Sequence, residues 1–157
     1  MVHKDATEPK LNILVITVST SRNEKTDVSG ENLREEFSKD LHSVDKVMCG
    51  DDEMGILDAF LSHPEKDVFI FVGGTGPSRR DVTVETLRKI STKEMAGFGE
   101  MFRVESKERL AFLSNATLFL KGRKQIYCVP GSPDAVRLAH SIISSVMGHI
   151  YNELNKE

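Results

Sequence analysis

The chain has 157 residues, 39% of them hydrophobic and 29% charged, with a formal net charge of -3 and a pI near 6.0. That length suits one domain with a real core, and the composition excludes a disordered or fibrous chain. Basic residues are spread thinly, so no nucleic-acid partner is expected; no apolar run approaches the roughly 20 residues that a bilayer requires, so no membrane is expected either.

Met1 to Lys10 lacks apolar periodicity and is expected to be a flexible tail. Its polar, acidic start has no signal-peptide core, which points to the cytoplasm. A single unit over residues 11–157 should follow. Leu11 to Ser19 is almost continuously apolar and β-branched, the pattern of a strand covered on both faces. Leu33, Phe37 and Leu41 recur at helical spacing within Asn32 to Leu41. Val44 to Met48 alternates like an edge strand, and Gly50-Asp51-Asp52-Glu53 then opens a helix carrying Ile56, Leu57, Phe60 and Leu61. Val68 to Val72 reads as a second buried strand, with a loop over Gly73 to Arg80 and a helix over Thr83 to Ile90. The spacing predicts a further helix between Met95 and Asn115, with Met101, Phe102 and Leu110 on its apolar side. Ala116 to Leu120 and Gln125 to Val129 read as a hairpin turning near Gly122, and Pro133 to Leu154 as a long closing helix. Strands alternating with helices imply right-handed βαβ units and a mostly parallel α/β sheet with an antiparallel edge.

Cys49 and Cys128 each close a strand-like run and are expected as reduced thiols. No zinc spacing occurs, and His140 and His149 are expected on the surface of the last helix.

The strongest local signal is Gly73-Gly74-Thr75-Gly76-Pro77, between a buried strand and a helix. Loops at the carboxyl ends of parallel strands bind ligands in such sheets, and clustered glycines leave backbone N–H groups free to form an anion-binding nest. Phosphate is the natural guest, with Arg79 and Arg80 close behind to offset its charge. The alternative is a tight turn that merely needs glycine. The spacing matches neither the Walker loop nor the dinucleotide fingerprint. Asp81 reads as a helix cap or ion-pair partner, or as a carboxylate joined to phosphate through Mg²⁺. Asp51-Asp52-Glu53 should open on the same sheet edge, either as an acidic helix start or as the second half of a metal site. Pro130-Gly131-Ser132-Pro133 is a plain strand-to-helix turn or a second anion site at a helix N-terminus. Ser19-Thr20-Ser21-Arg22 is placed for polar contacts, and Gly97-Phe98-Gly99-Glu100 is a turn or a lip presenting Glu100 to a ligand.

Taken in order, the glycine loop with Arg80-Asp81-Val82-Thr83, then Gly97-Phe98-Gly99-Glu100, then Pro130-Gly131-Ser132-Pro133, resemble the MogA/MoaB family of molybdenum-cofactor biosynthesis proteins over Leu11 to Leu154. Ser19, Arg22 and Asp27-x-Ser29-Gly30 match as well. The resemblance implies a three-layer α/β sandwich that assembles as a trimer or hexamer. In one branch it implies adenylylation of molybdopterin by Mg·ATP with release of pyrophosphate. The product would be handed to a molybdenum-insertion protein. Carried over position by position, Asp52 and Asp81 become the catalytic carboxylates and hold Mg²⁺ through the bound ATP. Ser19, Gly73, Gly74, Thr75, Gly76, Arg80, Glu100, Pro130, Gly131 and Ser132 become substrate or nucleotide contacts. Where the family often has proline before the first carboxylate, this chain has Gly50-Asp51-Asp52; Asp52, directly before Glu53, is taken as the match. Two other readings stay open: a molybdopterin-binding module without turnover, and a nucleotide pyrophosphatase of related fold.

Overall fold

The computed structural model describes residues 8–157, so most of the expected tail lies outside the described residues. Strands β1 (Asn12–Val18), β2 (Ser43–Cys49), β3 (Val68–Val72), β4 (Lys93–Met95), β5 (Thr117–Lys121) and β6 (Lys124–Val129) form one sheet in the order β2-β1-β3-β6-β5-β4. β5 runs antiparallel to both neighbours, and the other five strands share one direction. Helices α1 (Val28–Lys39), α4 (Gly97–Glu105) and α5 (Pro133–Leu154) cover one face, while α2 (Glu53–Leu61) and α3 (Thr83–Ile90) cover the other.

Two apolar cores follow from the period-two alternation of strand side chains. Ile13, Val15, Val68, Ile70 and Val72 pack under α1 and α5, with Leu33, Phe37, Val136, Ala139 and Ile143. Leu14, Ile16, Val18, Phe69 and Phe71 pack under α2 and α3, with Ile56, Phe60, Val84 and Leu87. β1 and β3 are therefore buried on both sides, as their unbroken apolar runs predict, and β2 is the half-exposed edge.

Four local departures have physical causes. Helix α1 begins at Val28 rather than Asn32, because Asp27 caps it. Its carboxylate accepts the Gly30 N–H at 3.1 Å, the Thr17 hydroxyl at 2.7 Å and the Lys46 ammonium at 3.1 Å. Leu41, placed in the apolar stripe by spacing, lies past the helix end at φ 67° and is exposed. The helix expected across Met95 to Asn115 ends at Glu105; Leu110 instead leads into a short 3₁₀ turn, Ala111–Leu113. β4, too short and polar to announce itself, is pinned to α3 and β5. Glu94 accepts from Arg88 at 2.8 Å and from the Thr117 hydroxyl at 3.2 Å.

The hairpin β5–β6 turns at Gly122, whose φ of 58° demands the left-handed region. Its second strand lies inside the sheet, beside β3, and the sheet edge is β4. Cys49 and Cys128 are free and lie on strands separated by β1 and β3. His149 is exposed as expected, but His140 is half-buried: its Nε2 sits 2.8 Å from Asp40 Oδ2 and its ring packs edge-on against Phe37.

β1 feeds leftward through α1 to β2, whereas β3 feeds rightward through α3 to β4. Right-handed crossovers then require these helices to lie on opposite faces, and the loops after β1 and β3 part company. This divergence opens a crevice at the carboxyl ends of the two strands.

Candidate active site

The loop after β3 is built around its glycines. Gly73 and Gly74 have φ of 106° and 70°, a conformation that side chains rarely tolerate. Space forbids a side chain too: a Cβ on Gly73 would lie 2.7 Å from the Val18 carbonyl oxygen, and one on Gly74 would lie 2.1 Å from Thr83 Oγ1. Thr83, fully buried at the start of α3, fixes the loop from below. Its hydroxyl donates to the Gly73 carbonyl at 2.9 Å and its N–H to the Gly74 carbonyl at 3.2 Å. Both of these carbonyls are thereby spent on Thr83, and the Gly73 N–H is spent on the Val129 carbonyl at 2.9 Å.

Gly73, Gly74, Thr75, Gly76 and Asp81 line a cleft of about 300 Å³ with Leu110, Leu113, Ser114, Pro130 and Gly131. Among the described residues, no protein acceptor pairs with the N–H groups of Gly74, Thr75, Gly76 and Gly131. Unspent backbone donors on residues that line a shallow cleft are suited to an anion. Asp81 is held beside them by a tight turn. Its Oδ2 accepts the Ser78 N–H at 2.9 Å, and the Asp81 N–H donates to the Ser78 carbonyl at 3.0 Å.

Of the other expected site residues, Ser132 caps α5 next to Gly131, its hydroxyl accepting the Ala135 N–H at 3.2 Å. Ser19 continues the sheet by donating its N–H to the Cys49 carbonyl, and its hydroxyl accepts from the Ser21 and Arg22 amides. Arg80 is exposed on the Ser78–Asp81 turn. Glu100 is exposed in the first turn of α4 and does not line the cleft. Gly99 beside Glu100 serves packing instead: a Cβ there would lie 1.9 Å from the Ala116 carbonyl oxygen.

Asp52 lies farther along the same edge. It caps α2, with Oδ1 accepting the Gly55 N–H at 2.7 Å, while neighbouring Asp51 accepts the Thr20 hydroxyl at 3.3 Å. β2 and β3 are separated by β1, so their axes lie about 10 Å apart at about 4.8 Å per strand spacing. The two carboxylates thus flank the β1 loop rather than touch. Half-buried beside the acidic loop, Cys49 has its thiol pushed up to about 11, first by desolvation and then by the charges of Asp52 and Asp51.

Mg²⁺ prefers oxygen ligands and is commonly carried on substrate phosphates with only one or two protein carboxylates. Among the described residues no three His, Cys, Asp or Glu side chains cluster as a metal cage. Asp52 and Asp81 each spend one oxygen on a backbone amide and keep the other, Asp52 Oδ2 and Asp81 Oδ1. That donor set fits a phosphate-borne cation.

Leu110, Leu113 and Ser114 line the cleft without having been expected there from the sequence. They join the cleft only because Thr75 is tied to that segment: its Oγ1 lies 3.0 Å from Ser114 Oγ, and its carbonyl accepts the Asn115 N–H at 2.8 Å. The apolar residues Leu110, Phe112 and Leu113 in a stretch that failed as a helix were the available signal.

A family model described as "Probable molybdopterin binding domain" matches residues 14–149. The molybdenum cofactor biosynthesis protein B of Bacillus cereus is 38% identical, over 99% of this chain and 97% of the relative. A crystal structure of molybdenum cofactor biosynthesis protein B superposes with a TM-score of 0.90 at 36% identity, covering 97% of this chain and 100% of that one. The tungsten cofactor synthesizing protein MoaB from Pyrococcus furiosus superposes with a TM-score of 0.83 at 32% identity, covering 94% and 98%.

Proposed function

The chain belongs to the molybdopterin-binding family of molybdenum cofactor biosynthesis proteins, and from that premise we propose that it transfers the adenylyl group of Mg·ATP to molybdopterin. The observation that carries this reading is the set of unpaired amides at Gly74, Thr75, Gly76 and Gly131, on residues that line one cleft with Asp81. Such donors take a phosphate, and an adjacent carboxylate would repel it unless a cation stood between.

In this reading the terminal phosphate of molybdopterin rests in the glycine nest. One of its oxygens attacks the α-phosphorus of ATP; the new P–O bond forms as the bond to the β-phosphate breaks, and pyrophosphate leaves. Mg²⁺, when bound, would supply charge neutralisation on the triphosphate. The protein's own part is positioning, which suits a transfer that needs little covalent help. Asp81 and Asp52 would hold the Mg²⁺ carried by the triphosphate, Arg80 offsets charge from the exposed rim, and Ser132 extends the donor set at the start of α5. Ser19 and Glu100 are peripheral contacts at most. Assembly into a trimer or hexamer and hand-over to a molybdenum-insertion protein accompany the same reading.

The test is product analysis with Mg·ATP and freshly released molybdopterin. Adenylyl-molybdopterin from the wild type, and a large loss in Asp81→Asn with molybdopterin still bound, support the transferase. AMP alone would instead identify a pyrophosphatase, and binding without product would identify a carrier module.

A further inference from the structure

The cleft has two unlike walls. One is the glycine nest with its free amides; the other is apolar, formed by Leu110 and Leu113, which are 62% and 40% exposed. A single exposed leucine means little, but two of them lining an anion-binding cleft call for an apolar ligand surface. Their segment is firmly fixed. Besides the two ties to Thr75, the Arg103 guanidinium reaches from α4 to donate to the carbonyls of Ser114 at 3.2 Å and Ala116 at 3.0 Å. Thr75 is itself buried in the middle of the nest, so the apolar wall and the phosphate donors keep one relative position.

We propose that Leu110 and Leu113 are specificity residues that receive the flat face of the fused heterocycle whose phosphate occupies the nest. Arg103 is the positioning residue that holds them there. The inference rests on the molybdopterin reading. Geometry assigns the wall to molybdopterin and not to ATP: Asp52 lies toward β2, whereas the leucines lie on the opposite flank of the nest, beside Pro130 and Gly131. A triphosphate reaching from Asp81 toward Asp52 runs away from the leucines.

The experiment is steady-state kinetics on the Leu110→Ser/Leu113→Ser double variant, with each substrate varied in turn. KM for molybdopterin is expected to rise about tenfold or more, with kcat within about twofold and KM for ATP unchanged. Leu113→Met, which keeps an apolar side chain, should retain the wild-type KM. Arg103→Ala should raise the same KM by a smaller factor, and Arg103→Lys should recover part of it. If the double variant melts early, Leu113→Ser alone carries the measurement. A wild type that neither binds nor turns over molybdopterin removes the parent reading. An active wild type with an unchanged molybdopterin KM in the double variant, or with a raised KM for ATP instead, overturns this inference alone. A change of oligomeric state without a change in KM also overturns it, by showing that the leucines meet another copy of the chain.

Discussion

The two ends of the sheet differ in what they leave unspent. At the amino-terminal end of β3 and β6 lies a cavity of about 560 Å³ that includes Lys66, Lys121, Arg123 and Lys124, larger than the cleft at the opposite end and richer in cations. Its lysines are already engaged. Lys124 donates to the carbonyls of Pro64 and Lys66, both at 2.6 Å, Lys121 donates to that of Ile90 at 2.7 Å, and Lys66 pairs with Asp45. The carboxyl end, with the smaller cleft, keeps four amides and two carboxylate oxygens free. Size and formal charge are thus poorer guides to a site than unsatisfied hydrogen-bonding capacity, because satisfied groups have nothing left to offer a ligand.

The largest expected effect falls on the carboxyl end. Asp81→Asn should lower kcat by about a hundredfold or more, since it removes a charge worth several kcal/mol at the transferring phosphate; rapid-quench assays of adenylyl-molybdopterin check it. Next is Gly74→Ala, which puts a Cβ 2.1 Å from Thr83 Oγ1 at a φ of 70°. It should cost about 1–3 kcal/mol in urea unfolding and also weaken molybdopterin binding. If it destabilises without touching affinity, the loop is a turn and not a nest. Lys124→Ala at the other end should cost about 1 kcal/mol by orphaning two carbonyls, with turnover unchanged.

The smallest effect concerns Cys49. Its raised pKa leaves little thiolate at neutral pH, so alkylation by iodoacetamide should be slow there and quicken as pH rises toward about 11. Burial holds the Cys128 thiol higher still, so the reaction reports on Cys49 alone. Asp52→Asn, by deleting a nearby negative charge that raises the pKa, should speed alkylation modestly at any fixed pH below that value.

Much of the fold is legible in the sequence because burial on both faces leaves an unbroken apolar run, as in β1 and β3, and because the hairpin at Gly122 and the capped helix at Pro133 carry local signatures. β4 is not legible: three exposed residues held by Arg88 and Thr117 have no pattern of their own. Asp27 shows another limit. Its motif was visible, but its role as a buried cap shared by Thr17 and Lys46 depends on residues 10 and 19 positions away. The candidate site divides the same way. The nest and Asp81 are local features of one loop, whereas the Leu110–Ser114 wall joins them through a hydrogen bond that spans 39 residues.

The most direct measurement is a ¹H–¹⁵N correlation spectrum of the labelled protein titrated with molybdopterin. On the nest reading, the amide signals of Gly74, Thr75, Gly76 and Gly131 shift first and furthest, while those of Lys66, Lys121 and Lys124 stay in place. Shifts concentrated at the lysine-lined end, with the glycine amides unmoved, would contradict it.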